Sequence, residues 1–177
     1  MFFKERMMDM LRLRPFKISD IPYILDWAKE ERIFTMWCAN KFSYPLTEEQ
    51  LMQYKETYDK EENAWSFTAL DESGTPAGHL LMRNADYEKD SVHFGFIIMN
   101  PEIRGRGYGK EMVFLAVKYA FEILKVKKAT LVVFDRNGAA HNCYYAVGFT
   151  DVRLREEPFL YKEETWYLYD MEIQNKV

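Results

Sequence analysis

The spacing of apolar positions along this chain switches repeatedly between a strand period and a helix period. Leu11-Arg-Leu-Arg-Pro15 alternates apolar with basic residues and predicts a strand. From Ser19 the period lengthens. Ile21, Ile24, Leu25 and Ala28 share one face of a helix that the Ser19 hydroxyl would cap. Ile33 to Pro45 shows neither period and is crowded with Phe34, Trp37, Phe42 and Tyr44, which predicts an irregular aromatic segment. Thr47-Glu-Glu-Gln50 has the spacing of a capping box, ahead of a helix whose buried side carries Leu51, Tyr54 and Tyr58. Trp65 to Leu70 and Ala77 to Arg83 predict two strands about a turn at Glu72-Ser-Gly74, and polar Asn84 to Asp90 predicts another turn. Val92 to Met99 is apolar almost throughout, the pattern of a central strand buried on both faces.

The second half is more regular. A helix from Gly109 to Ile123 would turn Met112, Ala116, Tyr119, Ala120 and Ile123 inward. Lys128 to Phe134 is a β-branched strand, and Asn137 to Val147 is a short helix stopped by Gly148. Phe149 to Arg155 and Thr165 to Ile173 are the last two strands. Strands dominate first, then β-α-β-α-ββ follows. The order predicts a mixed α/β (α+β) sheet, not a doubly wound one.

Composition narrows the class. The 177 residues predict a single domain, 1–177 with its core from 11 to 173. With 48% apolar residues, 13 Phe, 12 Tyr and 4 Trp, the chain can bury a substantial core. A net charge of −4 argues against nucleic acid as a partner and is compatible with a cationic substrate such as an amine. Cys38 and Cys143 form neither a C-x-x-C nor a metal spacing, so a reduced, cytoplasmic setting is expected, with no metal. No segment reaches the ~20 apolar residues of a membrane span. The amphiphilic start carries Glu5 and Asp9 and lacks a long apolar stretch, so a signal peptide is not expected. A G-x-S-x-G nucleophile is absent.

The chemistry concentrates in Arg104-Gly105-Arg106-Gly107-Tyr108-Gly109, between a predicted strand and a predicted helix. That order builds a cup of backbone N–H groups at the positive end of a helix dipole, a site for phosphate or pyrophosphate. It is not a nucleoside-triphosphate loop: Glu111 stands where Ser or Thr should hold magnesium, and Arg104 replaces the first glycine. Nor is it a dinucleotide fingerprint, because Lys110 occupies the last glycine position.

Arg104-x-x-Gly107-x-Gly109 resembles the [RQ]-x-x-G-x-[GA] signature of the GNAT superfamily of N-acetyltransferases. Asn137-Gly-Ala-Ala140-His-Asn-Cys-Tyr144-Tyr-Ala-Val-Gly148-Phe149 resembles that family's N-x-x-A-x-x-x-Y-x-x-x-G-F segment with every position filled. Leu11-Arg-Leu-Arg-Pro15 is similar to its first strand, so the resemblance runs from Leu11 to Ile173. It implies a mostly antiparallel sheet of about seven strands, flanked by helices and splayed where acetyl-coenzyme A enters. The amides of Gly105, Arg106, Gly107, Tyr108 and Gly109 would hold the pyrophosphate, with Arg104 and Arg106 auxiliary and Lys110 either paired to a phosphate or facing water. Backbone groups of Ile97, Ile98 and Met99 would pair with the pantetheine arm, and one of these amides would hold the oxyanion.

The same resemblance makes Tyr144 the general acid for the thiolate, while Tyr145, about 100° round the helix, would be core. Asn137 would cap its helix or bind the pantetheine, one or the other. His93, on the strand face of Ile97 if period 2 holds, is the candidate general base, with an unperturbed pKa near ~6.5 suited to neutral pH. Residues Glu31 to Tyr58 and a hairpin around Pro158 to Trp166 would shape the pocket for the amine acceptor, a small molecule or a peptide N-terminus. Phe34, Trp37 and Tyr44 would either cradle a cationic amine or form a satellite core. The chain is similar to the bacterial branch that acetylates ribosomal protein N-termini. Direct transfer in a ternary complex is implied, and the alternative is a non-catalytic coenzyme A-binding sensor or interaction module. Strand pairing between subunits through the apolar tail Trp166 to Ile173 predicts a homodimer.

Overall fold

The computed structural model describes residues 10–176; the amphiphilic N-terminal segment lies outside them. Strand β1 (Arg12–Pro15) leads through a 3₁₀ turn into α1 (Ile21–Trp27). Ser19 does not cap this helix. Asp20 organises the entry instead: its carboxylate accepts from the Lys17 amide at 2.9 Å, from the Arg14 guanidinium at 2.6 and 2.7 Å, and from the Thr68 hydroxyl at 2.7 Å. Burial alone would raise the Asp20 carboxyl, but these bonds hold it below the usual carboxylate range.

The aromatic segment is not irregular. Glu31–Cys38 forms α2, and Phe34, Trp37 and Cys38 are buried at helical spacing. The helix is short and stops where Ala39 and Asn40 take left-handed φ of 48° and 61°, without the glycine that normally advertises such an end. In α3 (Glu48–Asp59) Thr47 caps as expected, accepting from the Gln50 amide. The Gln50 side chain does not complete the box; it accepts from the Ser43 amide and ties down the preceding loop.

Strands β2 (Trp65–Leu70), β3 (Pro76–Asp86), β4 (Ser91–Met99) and β5 (Lys128–Phe134) follow, with α4 (Tyr108–Glu122) between β4 and β5 and α5 (Gly138–Val147) after β5. Then come β6 (Thr150–Leu154), a separate hairpin of β7 (Phe159–Tyr161) and β8 (Glu164–Trp166), and β9 (Leu168–Gln174). The 7-stranded sheet runs β1-β2-β3-β4-β5-β9-β6, and only β4 and β5 are parallel. This is the mixed sheet that the order of elements predicted, with the last long strand starting at Leu168 rather than Thr165.

A bulge in β4 sets the packing. His79 pairs with Ile98 but Leu81 with Gly95, so β4 carries one extra residue, and Phe96 sits at φ 50°. The strand's faces exchange there. Val92 and Phe94 join the core under α4 and α5, whereas Phe96 and Ile98 join the core under α1, α2 and α3. Both faces are covered, as the apolar run suggested, but through a change of phase.

Two inward assignments are corrected. Ile123 is 63% exposed, because α4 ends at Glu122 and Leu124 fills the core position instead. Tyr145 is 44% exposed: α5 turns Tyr144 and Val147 to the core, and the Tyr145 hydroxyl donates to Asp151 at the rim.

Candidate active site

Strands β4 and β5 pair only over Ser91–His93 against Lys128–Thr130. Beyond that they diverge, and the β4 edge facing β5 is left unpaired towards Met99. A cavity of about 520 Å³ runs through the gap and reaches both faces of the sheet. On the α4/α5 face it is bounded by the glycine loop, Asn137, Cys143 and Tyr144; on the other face by Trp37, Lys41, Arg83 and His93. Ile97, Ile98 and Met99 all line it, with Ile97 and Met99 half-buried and Ile98 buried.

The glycine loop has the form that its composition required. Gly105 and Gly107 adopt φ of 79° and 85°, and Gly107 is the N-cap of the 15-residue α4. A Cβ at either would meet nothing within 4 Å, so backbone conformation and not crowding calls for glycine. The Gly105, Arg106 and Gly107 amides donate to no group among the described residues, and those of Tyr108, Gly109 and Lys110 belong to the helix turn that leaves its donors open. Six open N–H groups at a helix start suit a diphosphate. Arg104, Arg106 and Lys110 are exposed around them.

Tyr144 is 6% exposed and lines the cavity, and its phenol makes no hydrogen bond to another described residue. Burial drives its phenol well above the ordinary range, so it is a donor at any physiological pH. Burial also pushes the Cys143 thiol to about 11, which leaves it without thiolate character. Asn137 caps α5, its Oδ1 accepting from the Ala140 amide at 3.3 Å, while its amide nitrogen stays available at the cavity wall.

His93 lines the cavity, but the β4 bulge puts it on the opposite sheet face from Ile97, so the shared face expected from period 2 does not hold. Its Nδ1 lies 2.9 Å from Thr130 Oγ1. Burial, then the charges of Arg83, Lys41 and Arg155, lower its pKa to about 4. Of the segments expected to shape the acceptor end, α2 does so through Ile33, Met36 and Trp37. The β7–β8 hairpin does not reach the cavity; it braces α2 through Arg32–Glu164 at 2.6 Å and Lys162–Glu31 at 2.7 Å. Phe34 belongs to the α1–α3 core, which is the satellite-core reading, while Tyr44 meets it edge to face from an exposed position and donates its hydroxyl to the Lys29 carbonyl.

Arg83 and Lys41 escaped the sequence reading. One closes a strand and the other follows a short helix, and only β3–β4 register brings Arg83 opposite His93. The one signal was Gly95 inside an apolar strand, which implies a close approach. The Arg83 guanidinium lies over it, within 3.8 Å of where a Cβ would stand.

Splayed parallel strands, a cup of open amides and a buried phenol are the arrangement that the GNAT resemblance implies for a transferase handling a coenzyme A thioester. A family model described as "Acetyltransferase (GNAT) domain" matches residues 10–150, and the chain belongs to that family; it is an acyltransferase that uses acetyl-coenzyme A. It is 25% identical over 142 residues to a spermidine N(1)-acetyltransferase of Escherichia coli K12, covering 79% of this chain and 73% of the relative. To the spermidine N(1)-acetyltransferase of Vibrio cholerae it is 28% identical over 152 residues, 85% of each chain. The crystal structure of a Vibrio cholerae spermidine N-acetyltransferase with CoA and spermine shares the fold, with a TM-score of 0.81 at 22% identity, covering 93% of this chain and 95% of that one. These relatives lend no support to the ribosomal-protein branch. Among the described residues no cluster of His, Cys, Asp or Glu is suited to a metal, and no helix is long and apolar enough to cross a membrane.

Proposed function

We propose that this protein acetylates a primary amine directly within a ternary complex, acetyl-coenzyme A entering from the α4/α5 face and the amine from the α2 face. The observation that carries this reading is the cavity joining open loop amides on one side of the sheet to a second chamber on the other. When bound, acetyl-coenzyme A supplies the acetyl group: the amine nitrogen bonds to the carbonyl carbon, the C–S bond breaks, and the amine's proton leaves to solvent. The residue 105–110 amides hold the diphosphate, the unpaired β4 edge at Ile97–Met99 orients the thioester, and the Tyr144 phenol gives its proton to the leaving sulfur and regains one from solvent before the next turnover. His93 acts as a relay rather than a store. At about 4 its basicity is far below that of an alkyl amine, so the amine must arrive neutral. The high Cys143 pKa favours direct transfer over an acyl-cysteine.

Release of coenzyme A thiol in the presence of an amine panel tests the proposal. Tyr144→Phe should lower kcat by about 10²-fold with little change in KM for acetyl-coenzyme A. Full turnover in that variant would remove the acid, and tight coenzyme A binding without turnover of any amine would favour a sensor.

We also propose a homodimer, but not through the tail expected from the sequence: β9 lies between β5 and β6, so both its edges are paired within the chain. The outer strand β6 is exposed along its whole length, with Val152 at 56% and Leu154 at 46%, and an unpaired apolar edge suits pairing with a second copy.

A further inference from the structure

The α2-side chamber has an unusual donor balance. Among the described residues, no aspartate or glutamate lines the cavity at all. Around the single ring of Phe96 gather the Arg83 guanidinium at 5.7 Å, the Lys41 ammonium at 5.7 Å and the Trp37 indole at 5.7 Å between ring centroids. Neither Arg83 nor Lys41 has an ion-pair partner among the described residues. Arg83 Nε and Trp37 Nε1 are both buried with no acceptor, and both groups can only donate. Among the described residues the Arg83 side chain makes one hydrogen bond, from Nη1 to the Tyr58 hydroxyl at 3.3 Å.

The carboxylate of Asp170, on β9 beyond His93, is already engaged by Arg153 at 2.7 Å and Arg155 at 2.6 Å. Two buried donors without acceptors are costly unless something fills the demand, and the more exposed Lys41 adds a cation without a counter-ion to the same cavity wall. An anionic oxygen is that something, because a planar guanidinium takes a carboxylate or phosphate in a forked pair.

We infer that Arg83, Lys41 and Trp37 form an anion site, so that the acceptor is an amine that also carries a carboxylate or a phosphate, and not a polycation. The inference rests on the transferase reading of this cavity and names its substrate class. The positive field is felt by its neighbours: Lys41 is lowered from its ordinary value first by burial and then by Arg83, and His93 is lowered by burial and then by Arg83 and Lys41. A polyamine such as that named for the relatives would bring further ammonium groups against Lys41 and Arg83, with no carboxylate lining the cavity to receive them.

The test uses matched pairs. β-Alanine against its amide and O-phosphoethanolamine against ethanolamine, with spermidine alongside, are compared as acceptors by kcat/KM. Their N-acetylated forms are titrated calorimetrically into the protein with coenzyme A present, where acetylation removes any difference in amine charge. The acidic member of at least one pair should bind about tenfold tighter, the two arms telling carboxylate from phosphate. Arg83→Gln should erase the ratio, and Lys41→Gln should reduce it, serving as the readout if the first variant does not fold. Equal affinities within both pairs, no binding by either acid at millimolar concentration, spermidine as the best acceptor, or variants that keep the ratio would each overturn the anion site. Discrimination in binding with no amine turned over would instead overturn the transferase reading and leave the anion site standing.

Discussion

At the scale of single residues, burial decides what each titratable group can do. Tyr144 and His93 show it in opposite senses. Burial holds the phenol protonated and the imidazole neutral, so neither changes state near pH 7. The rise of kcat/KM with pH should therefore follow the amine's own ionisation, and His93→Asn should leave that profile in place; a limb near pH 6.5 lost in the variant would restore His93 as the base. Folding feels the same groups. His79, whose Nε2 lies 2.8 Å from the Tyr54 hydroxyl, is lowered to about 3 by burial, and His93 to about 4. Unfolded histidines titrate near ~6.5, so below that pH the unfolded chain binds protons that the folded one refuses. Stability should be level above pH 7 and fall as pH drops from 6.5, before most carboxylates titrate. Denaturant midpoints at pH 7.5 and 5.5 check this, and no difference between them would show that the imidazoles are not held neutral.

At the scale of elements, the proposed function turns on the loop and the β4 bulge. The loop was legible because its constraint is local: glycines between a strand and a helix can be read without knowing what packs around them. Gly107→Ala would force a side chain into a left-handed conformation at a cost of about 1–2 kcal/mol. We expect a melting point lower by a few degrees and KM for acetyl-coenzyme A raised about tenfold, since the first-turn amides would no longer converge. An unchanged KM would mean that the loop does not hold the diphosphate. The bulge was not legible. Nothing in Val92–Met99 marks the extra residue, because the choice of φ 50° at Phe96 belongs to the pairing with β3 and to two cores that demand opposite faces. The error over His93 follows from that. Helix α2 was missed for a related reason: it is 8 residues long and ends without glycine, so its Phe34, Trp37 and Cys38 spacing was masked by aromatic crowding.

At the scale of the whole molecule, the sheet is open at β6 and bridged at its centre by the cavity. The proposed dimer would cover Val152 and Leu154, which stand exposed on that edge strand. Sedimentation should show a species heavier than the 21.2 kDa monomer, and Leu154→Lys should shift it towards monomer without loss of fold. A monomer at every concentration would remove the dimer.

What the chain announced unaided were features whose physics is short-ranged. Gly105, Gly107 and Gly109 at a helix start and the alternation of strand and helix periods depend on neighbours a few positions away, whereas Tyr144 was marked only by the resemblance to the family's motif. What only the tertiary structure decided was how distant segments meet: the phase of β4, the outward turn of Tyr145, and the gathering of Lys41 from behind α2 with Arg83 from β3 around Phe96. Those encounters are set by strand register and by the competition of two cores for one strand, and register couples residues far apart in the chain.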